Sequence, residues 1–333
     1  MKENKESSKA YENVGVIGAG AWGTALALAA AQAGRAVTLW AREAEVVEQI
    51  RATRENARFL PGVRLPDAIV ATGEIGEAAK ADALLVVVPA QHLRVSIAGF
   101  ANGKPLVLCA KGIEKSSGKL LTEVLMEEAP GCEPAILSGP SFARDVSLGL
   151  PTAVTIAARM EIALRLQATL GHATFRPYAS DDLTGVALGG AAKNVYAIAC
   201  GIVDGLGLGE SARAALLARS FAELTRLGQA LGAKAETLMG LSGLGDLVLT
   251  ATSTSSRNFS FGRALGQGRT LAEMARPGHP LAEGVETAPA LVKRAHAEGV
   301  ELPIAEAVAS VLDGSLPLDA ALLRLMSRPL KPE

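Results

Sequence analysis

The stretch from Val14 to Trp40 restricts the fold of this chain more than any other. Val14-Gly-Val-Ile-Gly18 is a short apolar run of strand type, followed by Ala19-Gly20-Ala21-Trp22-Gly23-Thr24 and then by the Ala/Leu-rich segment from Ala25 to Ala33. Gly34 reads as a C-terminal helix stop, and Ala36-Val-Thr-Leu-Trp40 supplies a second strand. Strand, glycine turn, helix and strand make a βαβ unit. Inside that unit Gly18, Gly20 and Gly23 have the G-x-G-x-x-G spacing in the context that gives it meaning. Gly18 permits a tight turn, Gly20 lets backbone approach a pyrophosphate, and Gly23 lets helix and strand pack closely. The helix N-terminus then aims free N–H groups at the phosphates.

The end of the second strand is where such a fold meets the adenosine ribose, and the sequence there is Trp40-Ala41-Arg42-Glu43. Arg42 facing the ribose would suit a 2′-phosphate and NADP(H); Glu43 facing it would suit NAD(H). Arg42, one or two positions past the strand, is the better placed, which favours NADP(H).

Further apolar runs at Ile69–Ala71, Ala83–Val88, Leu106–Cys109 and Ala135–Leu137 alternate with helix-like text such as Ala44–Thr53 and Leu120–Glu128. Strands apolar on consecutive positions, alternating with helices, predict a mostly parallel sheet covered on both faces, an α/β Rossmann-like domain. Strand signals fade after about Tyr178. From Ser180-Asp-Asp onward the text is helical: Ala212–Leu231, Leu271–Ala275, Thr287–Glu298, Ile304–Leu312 and Leu318–Met326. The expected organisation is a disordered leader over 1–12, a dinucleotide-binding domain over 13–180 and an all-α substrate domain over 181–330. Two domains is also the default for 333 residues.

Thirty-three Lys and Arg against 34 Asp and Glu give a net charge of −1, so no global basic field exists to hold nucleic acid or an anionic membrane. Any anion must be caught locally. Cys109, Cys132 and Cys200 are widely spaced, and His92, His172, His279 and His296 are scattered, which predicts neither a disulfide frame nor a metal site. The longest pure apolar run, Ala83–Ala90, falls far short of the ~18 residues of a membrane span, and the first residues lack an apolar signal core. The expected location is cytoplasmic, and the default assembly is a homodimer.

Gly185-Val-Ala-Leu-Gly-Gly-Ala-Ala-Lys193-Asn194 places one cation on an otherwise small, apolar helix. Small residues let a backbone or ligand come close to Lys193, and burial would lower its pKa toward neutrality, the range of a useful proton donor and acceptor for a carbonyl/alcohol pair. Three strand- or helix-associated segments are polar where an apolar pattern is expected: Cys109-Ala-Lys111-Gly112, Ser138-Gly139-Pro-Ser141-Phe-Ala143, and Gly243-Leu-Gly-Asp246-Leu. A carboxylate in an apolar run needs a partner, and Lys193 is the obvious one for Asp246. Ser256-Arg257-Asn258 combines one forked cation with hydrogen-bond donors, a local phosphate trap.

These motifs, in order and spread from about Asn13 to Leu325, resemble the bacterial-type NAD(P)-dependent sn-glycerol-3-phosphate dehydrogenases. The resemblance implies that Lys193 is the proton donor and acceptor, with Lys111 and Asp246 orienting it. It implies that Lys111, Gly139, Ser141, Lys193, Asn194, Asp246, Ser256, Arg257 and Asn258 surround the substrate. It further implies that Ala21, Trp22, Arg42, Lys111, Ala143, Arg257, Leu281 and Glu283 meet the cofactor beside the glycine loop. The expected substrate is a small phosphorylated one, dihydroxyacetone phosphate, whose reduction supplies phospholipid synthesis. Two other readings share parts of the pattern: a β-hydroxyacid dehydrogenase, whose substrates end in a carboxylate and need no phosphate trap, and a nicotinamide-sensing protein, which needs no proton donor.

Overall fold

A computed structural model describes residues 9–100, 103–274 and 282–329. The chain divides into two compact units, one of Met1–Ala110 with Leu121–Val186 and one of Lys111–Leu120 with Ala187–Glu333. The sequence division at 180/181 follows chain order, whereas packing assigns the short excursion Lys111–Leu120 to the second unit.

In the first unit the described residues form an eight-stranded sheet: β1 (Asn13–Ile17), β2 (Ala36–Trp40), β3 (Ile69–Thr72), β4 (Ala83–Val86), β5 (Pro105–Leu108), β6 (Glu133–Ser138), β7 (Thr152–Ala157) and β8 (Phe175–Ser180). Their spatial order is β3-β2-β1-β4-β5-β6-β7-β8. Every pairing is parallel except β6 with β7. β4 and β5 are buried at every position, the burial that continuous apolar text anticipates for a sheet covered on both faces. The chain moves outward from β1 on one side and then restarts at β4 on the other, so the crevice beyond the carboxyl ends of β1 and β4 is the topological switch point.

The sequence reading did not single out β7 and β8. β8 is the outer strand, its first four residues alternate between buried and exposed, and it contains Pro177, so it lacks the run of apolar residues that marks an inner strand. Ordered structure also begins ahead of Asn13. Tyr11 is buried, its N–H donates to Thr169 Oγ1 at 2.9 Å, and the Arg165 guanidinium stacks 3.8 Å from its ring centre. The expected disordered leader over 1–12 therefore does not hold for this stretch, because an aromatic ring with a core to pack against is fixed by it; residues 1–8 lie outside the described residues.

The second unit is helical. Its spine is the helix Leu183–Gly205, whose start is fixed by Asp182 accepting from the Gly185 N–H at 2.8 Å. This helix is rich in Gly and Ala because it packs backbone to backbone against the helix Arg257–Gly266. A Cβ at Gly201 would lie 2.1 Å from the Phe259 carbonyl oxygen, and one at Gly262 would lie 2.0 Å from that of Ile198. The 183–205 helix is long and apolar enough to cross a membrane, yet 94% of its most apolar window is buried within the fold, as befits a core helix. The remaining helices include Glu210–Ala230, Asp246–Thr252, Glu283–Ala297, Pro303–Leu312 and Leu318–Met326.

Candidate active site

In the first unit, the residues after β1 form a cradle of backbone. Gly18 adopts φ +118°, and its N–H donates to the Trp40 carbonyl at 3.1 Å, tying the turn to the neighbouring strand. A Cβ on Gly23 would lie 1.8 Å from the Gly18 carbonyl oxygen, so only glycine allows the helix Ala21–Gln32 to start this close to the turn. At Gly20, by contrast, a Cβ would meet nothing within 4 Å: the space in front of it is open. The helix has no side-chain cap and no acidic residue in its first turn, which leaves its leading N–H groups for an outside anion. The buried Trp22 Nε1 has no hydrogen-bond partner among the described residues. An open face, uncapped amides and an orphaned donor fit a dinucleotide pyrophosphate.

At the end of β2, Arg42 and Glu43 point at each other. Arg42 Nη2 lies 3.0 Å from Glu43 Oε1, with the Arg42 side chain 77% exposed. The two rival residues of the sequence reading are thus an ion pair. Gly139, Ser141 and Ala143 follow β6 in the same unit. Gly139 has φ +144°, Ser141 Oγ donates to the Gly139 carbonyl at 3.0 Å, and Ala143 begins the short helix Ala143–Ser147.

The second unit holds a cluster of buried charge. Lys193 Nζ donates to Asp246 Oδ1 at 2.7 Å and to Thr250 Oγ1 at 2.8 Å, while Lys111 Nζ donates to Asp246 Oδ2 at 2.5 Å. One carboxylate, 1% exposed, therefore bridges two ammonium groups. Burial pulls the Lys193 pKa down to about 8; Asp246 opposes that fall and Lys111 reinforces it. Burial pushes the Asp246 carboxyl up, but the two lysines overcome it and hold the group below its usual range. The cluster carries two cations and one anion, a net positive charge in a buried place. An ammonium has three N–H groups, and among the described residues Lys193 uses two, leaving one open.

Glycines again explain why these groups can meet. Gly189 sits one turn before Lys193, and a Cβ there would lie 2.5 Å from the Ser242 carbonyl oxygen. The π-helical turn Leu241–Gly245 is thereby pressed against the spine helix and runs directly into the helix Asp246–Thr252, which carries Asp246 onto Lys193. Thr250 was missed by the sequence reading. Its signal was available: it stands four residues after Asp246, on the same face of one helix.

The Ser256-Arg257-Asn258 segment is more divided than a simple phosphate trap. Ser256 Oγ caps its helix by accepting from the Phe259 N–H at 3.2 Å. Asn258 is buried, donates to Asn194 Oδ1 at 2.8 Å and accepts from the Gly284 N–H at 2.9 Å. Arg257 alone is exposed, with no hydrogen bond or ion pair among the described residues. Hydrogen bonds thus bring together Lys111, Lys193, Asn194, Asp246, Thr250 and Asn258. Glu283 opens the helix Glu283–Ala297, and its charge raises the Lys193 pKa; Leu281 lies outside the described residues.

Comparison with known proteins places this geometry. Residues 13–163 match the family model for the N-terminus of NAD-dependent glycerol-3-phosphate dehydrogenase, and residues 182–323 match that for its C-terminus. A protein of Parvibaculum lavamentivorans named glycerol-3-phosphate dehydrogenase [NAD(P)+] is 57% identical over 329 residues, covering 97% of this chain and 99% of that protein. One of the same name from Bradyrhizobium sp. is 57% identical over 331 residues, covering 98% and 99% of the two chains. The crystal structure of glycerol-3-phosphate dehydrogenase from Coxiella burnetii is similar with a TM-score of 0.90 at 36% identity, covering 96% of this chain and 99% of that one. With both halves matched and relatives this similar along nearly the whole length, the chain belongs to the NAD(P)-dependent glycerol-3-phosphate dehydrogenase family.

Proposed function

We propose that this chain interconverts dihydroxyacetone phosphate and sn-glycerol 3-phosphate with NAD(P)(H), and that Lys193 is the proton donor and acceptor. The observation that carries this reading is the buried Lys193 ammonium, held by Asp246 and Thr250 with one N–H to spare and a pKa brought down to about 8. A lysine of ordinary pKa would hold its proton too tightly to exchange it near neutral pH.

In the reductive direction, the spare Lys193 N–H bonds the substrate carbonyl oxygen, polarises the carbonyl, and transfers its proton as the alkoxide forms. Bound NAD(P)H supplies the hydride that adds to the carbonyl carbon. Asp246 keeps Lys193 oriented throughout, and the Thr250 hydroxyl can accept from the ammonium or donate to the neutral amine it becomes. Lys111 neutralises the second oxygen of Asp246, so that carboxylate does not bind the Lys193 proton too firmly. In the oxidative direction the neutral Lys193 amine takes the hydroxyl proton back.

The substrate phosphate is assigned to Arg257, whose planar fork is exposed and uncommitted among the described residues, with Lys111 and Ser256 as further contacts. Gly18, Gly20, Ala21, Trp22 and Gly23 hold the pyrophosphate. Arg42 receives the 2′-phosphate of NADP(H), which is the favoured cofactor, and Ala143 adds to its contacts. The proposal extends to a cytoplasmic homodimer that supplies glycerol 3-phosphate for phospholipid synthesis.

The test is turnover of dihydroxyacetone phosphate, unphosphorylated dihydroxyacetone and a panel of β-keto acids, followed at the reduced-nicotinamide absorbance in wild type and Arg257→Ala. The reading predicts turnover of the phosphate ester above all, with Arg257→Ala losing about tenfold or more in kcat/KM for it, a charge-assisted bond being worth roughly 1.5 to 3 kcal/mol, and far less for dihydroxyacetone. Preference for a β-keto acid would support the hydroxyacid reading instead, and cofactor binding without turnover would support the sensor.

A further inference from the structure

Asn56 lies in the loop between the helix Ala44–Thr53 and β3, has no part in the sites described above, and is completely buried. Its Nδ2 donates to the Ala19 carbonyl and to Thr24 Oγ1, each at 2.8 Å, while its Oδ1 accepts from the Phe59 N–H at 3.4 Å. Thr24 is buried as well, and its hydroxyl donates to the same Ala19 carbonyl at 3.4 Å. An amide nitrogen has two N–H groups, and both of these go to the glycine turn or the helix that follows it. Ala19 stands between Gly18 and Gly20, so one carbonyl of the turn is held from behind by two buried donors.

The loop that carries Asn56 is tied down independently of the turn. Arg54 ends the preceding helix with φ +58°, the one positive φ at a non-glycine position among the described residues. Its guanidinium donates to the carbonyls of Leu65, Pro66 and Ile69, and its own carbonyl accepts from the Leu65 N–H at 2.7 Å. The Leu60 N–H donates to the Asn56 carbonyl at 2.8 Å, and Glu55 Oε1 accepts from the Gly62 N–H at 2.6 Å. From outside the loop, Arg144 Nη1 donates to the Pro61 carbonyl at 2.7 Å. A side chain mounted on this many bonds is a fixed strut.

We propose that Asn56 is a positioning residue for dinucleotide binding: by drawing the Ala19 carbonyl inward, with Thr24 as its partner, it turns the Gly20 N–H outward toward the cofactor pyrophosphate. The inference rests on the reading that the glycine turn holds that pyrophosphate. A trans peptide is planar, with its C=O and N–H pointing in opposite directions, so fixing the carbonyl of Ala19 fixes the N–H of Gly20. Glycine alone leaves that direction unset. Without a Cβ, Gly20 tolerates the change in φ that a flip of the Ala19–Gly20 peptide requires. Asn56 removes this freedom before the cofactor arrives, and donors that are already aimed bind at a lower entropic cost.

The experiment uses Asn56→Asp, Thr24→Val and Thr24→Ser in the full-length chain. Dissociation constants for NADP+ and NAD+ are measured by calorimetry at about pH 8 and about pH 5, on either side of the titration of a carboxyl raised by burial, and each variant is compared with wild type at the same pH. Asn56→Asp keeps the shape and the acceptor for Phe59 but turns a carboxylate oxygen toward the Ala19 carbonyl. The brace predicts that both cofactors weaken by the same factor, about tenfold or more, since both carry the pyrophosphate. It also predicts that most of this loss is recovered at the lower pH, where the protonated carboxyl donates again; a residue that merely fills space shows no such recovery. Thr24→Val should cost both cofactors a few-fold, and Thr24→Ser, which keeps the hydroxyl, should cost less. At saturating cofactor, kcat for dihydroxyacetone phosphate in Asn56→Asp should stay near that of wild type while the cofactor KM rises. Unchanged affinity in Asn56→Asp, a loss confined to one cofactor, or an equal loss at both pH values would overturn the brace. Binding needs no turnover, so the affinities decide the brace even if dihydroxyacetone phosphate proves not to be a substrate, an outcome that would sink the proposed function alone. If Asn56→Asp fails to fold, Thr24→Val against Thr24→Ser carries the same test, and equal affinities in that pair would overturn the brace.

Discussion

The glycine cradle after β1 and the lysine cluster on the 183–205 helix handle charge by opposite means. The cradle is made of consecutive residues and presents backbone: its working parts are N–H groups, and its glycines matter for the atoms they lack, as at Gly23, where a Cβ would fall 1.8 Å from the Gly18 carbonyl oxygen. The lysine cluster is made of side chains from distant positions. Lys193 and Asp246 are 53 residues apart, and Lys111 and Asp246 are 135 apart. A backbone site is broken by adding atoms, and a side-chain site by removing them. Under the proposed function, the first binds an anion without titrating, and the second is built around a group whose proton leaves.

That contrast can be broken in three places, taken from the largest expected effect to the smallest. Lys193→Ala removes the only group in the cluster assigned to proton transfer, and kcat should fall at least about a hundredfold. The affinity for NADPH, measured by quenching of its fluorescence, should stay near that of wild type, because the cradle is untouched. Equal losses in both would show that the two regions are not separable.

Gly23→Val is the converse. The added carbons meet backbone that cannot move aside, so the helix start must shift, and NADPH affinity should weaken by about tenfold or more, overpacking of this kind costing roughly 1 to 3 kcal/mol. The Lys193 titration should be unaffected. Retained affinity for NADPH would mean that the turn does not hold the pyrophosphate.

Arg42→Asp sharpens the comparison within the first unit, since here a side chain supplements a backbone site. It exchanges an attraction for a repulsion at the 2′-phosphate, so KM for NADPH should rise several-fold more than KM for NADH. Glu43 already neutralises part of the Arg42 charge, which makes this the smallest of the three effects. An equal rise for both cofactors would make the Arg42–Glu43 pair a purely structural one.

The same contrast explains what was legible in the sequence. The cradle could be read because strand, turn and helix are contiguous and each glycine has a steric reason visible in spacing. The inner strands β1, β4 and β5 were legible for a related reason: burial on both faces leaves apolar text on consecutive positions. β8 was not, because an outer strand alternates and tolerates Pro177. For the lysine cluster, burial of Asp246 in an apolar run implied a cationic partner, and Lys193 is that partner. That Lys111 would share the same carboxylate came only from family resemblance, since nothing local in Cys109-Ala-Lys111-Gly112 says where its loop packs.

The central claim is that Lys193 exchanges a proton with the substrate because burial, reinforced by Lys111, brings its pKa within reach of neutral pH. Measuring kcat/KM against pH in both directions tests it most directly, in wild type and in Lys111→Met. Reduction needs the protonated amine, so its kcat/KM should decline as pH rises through about 8, while oxidation needs the neutral amine and should increase through the same range. Removing Lys111 takes away a cation that disfavours Lys193 protonation, so both midpoints should move to higher pH. Reductive and oxidative profiles that do not mirror each other, or midpoints that stay in place in Lys111→Met, would contradict the account.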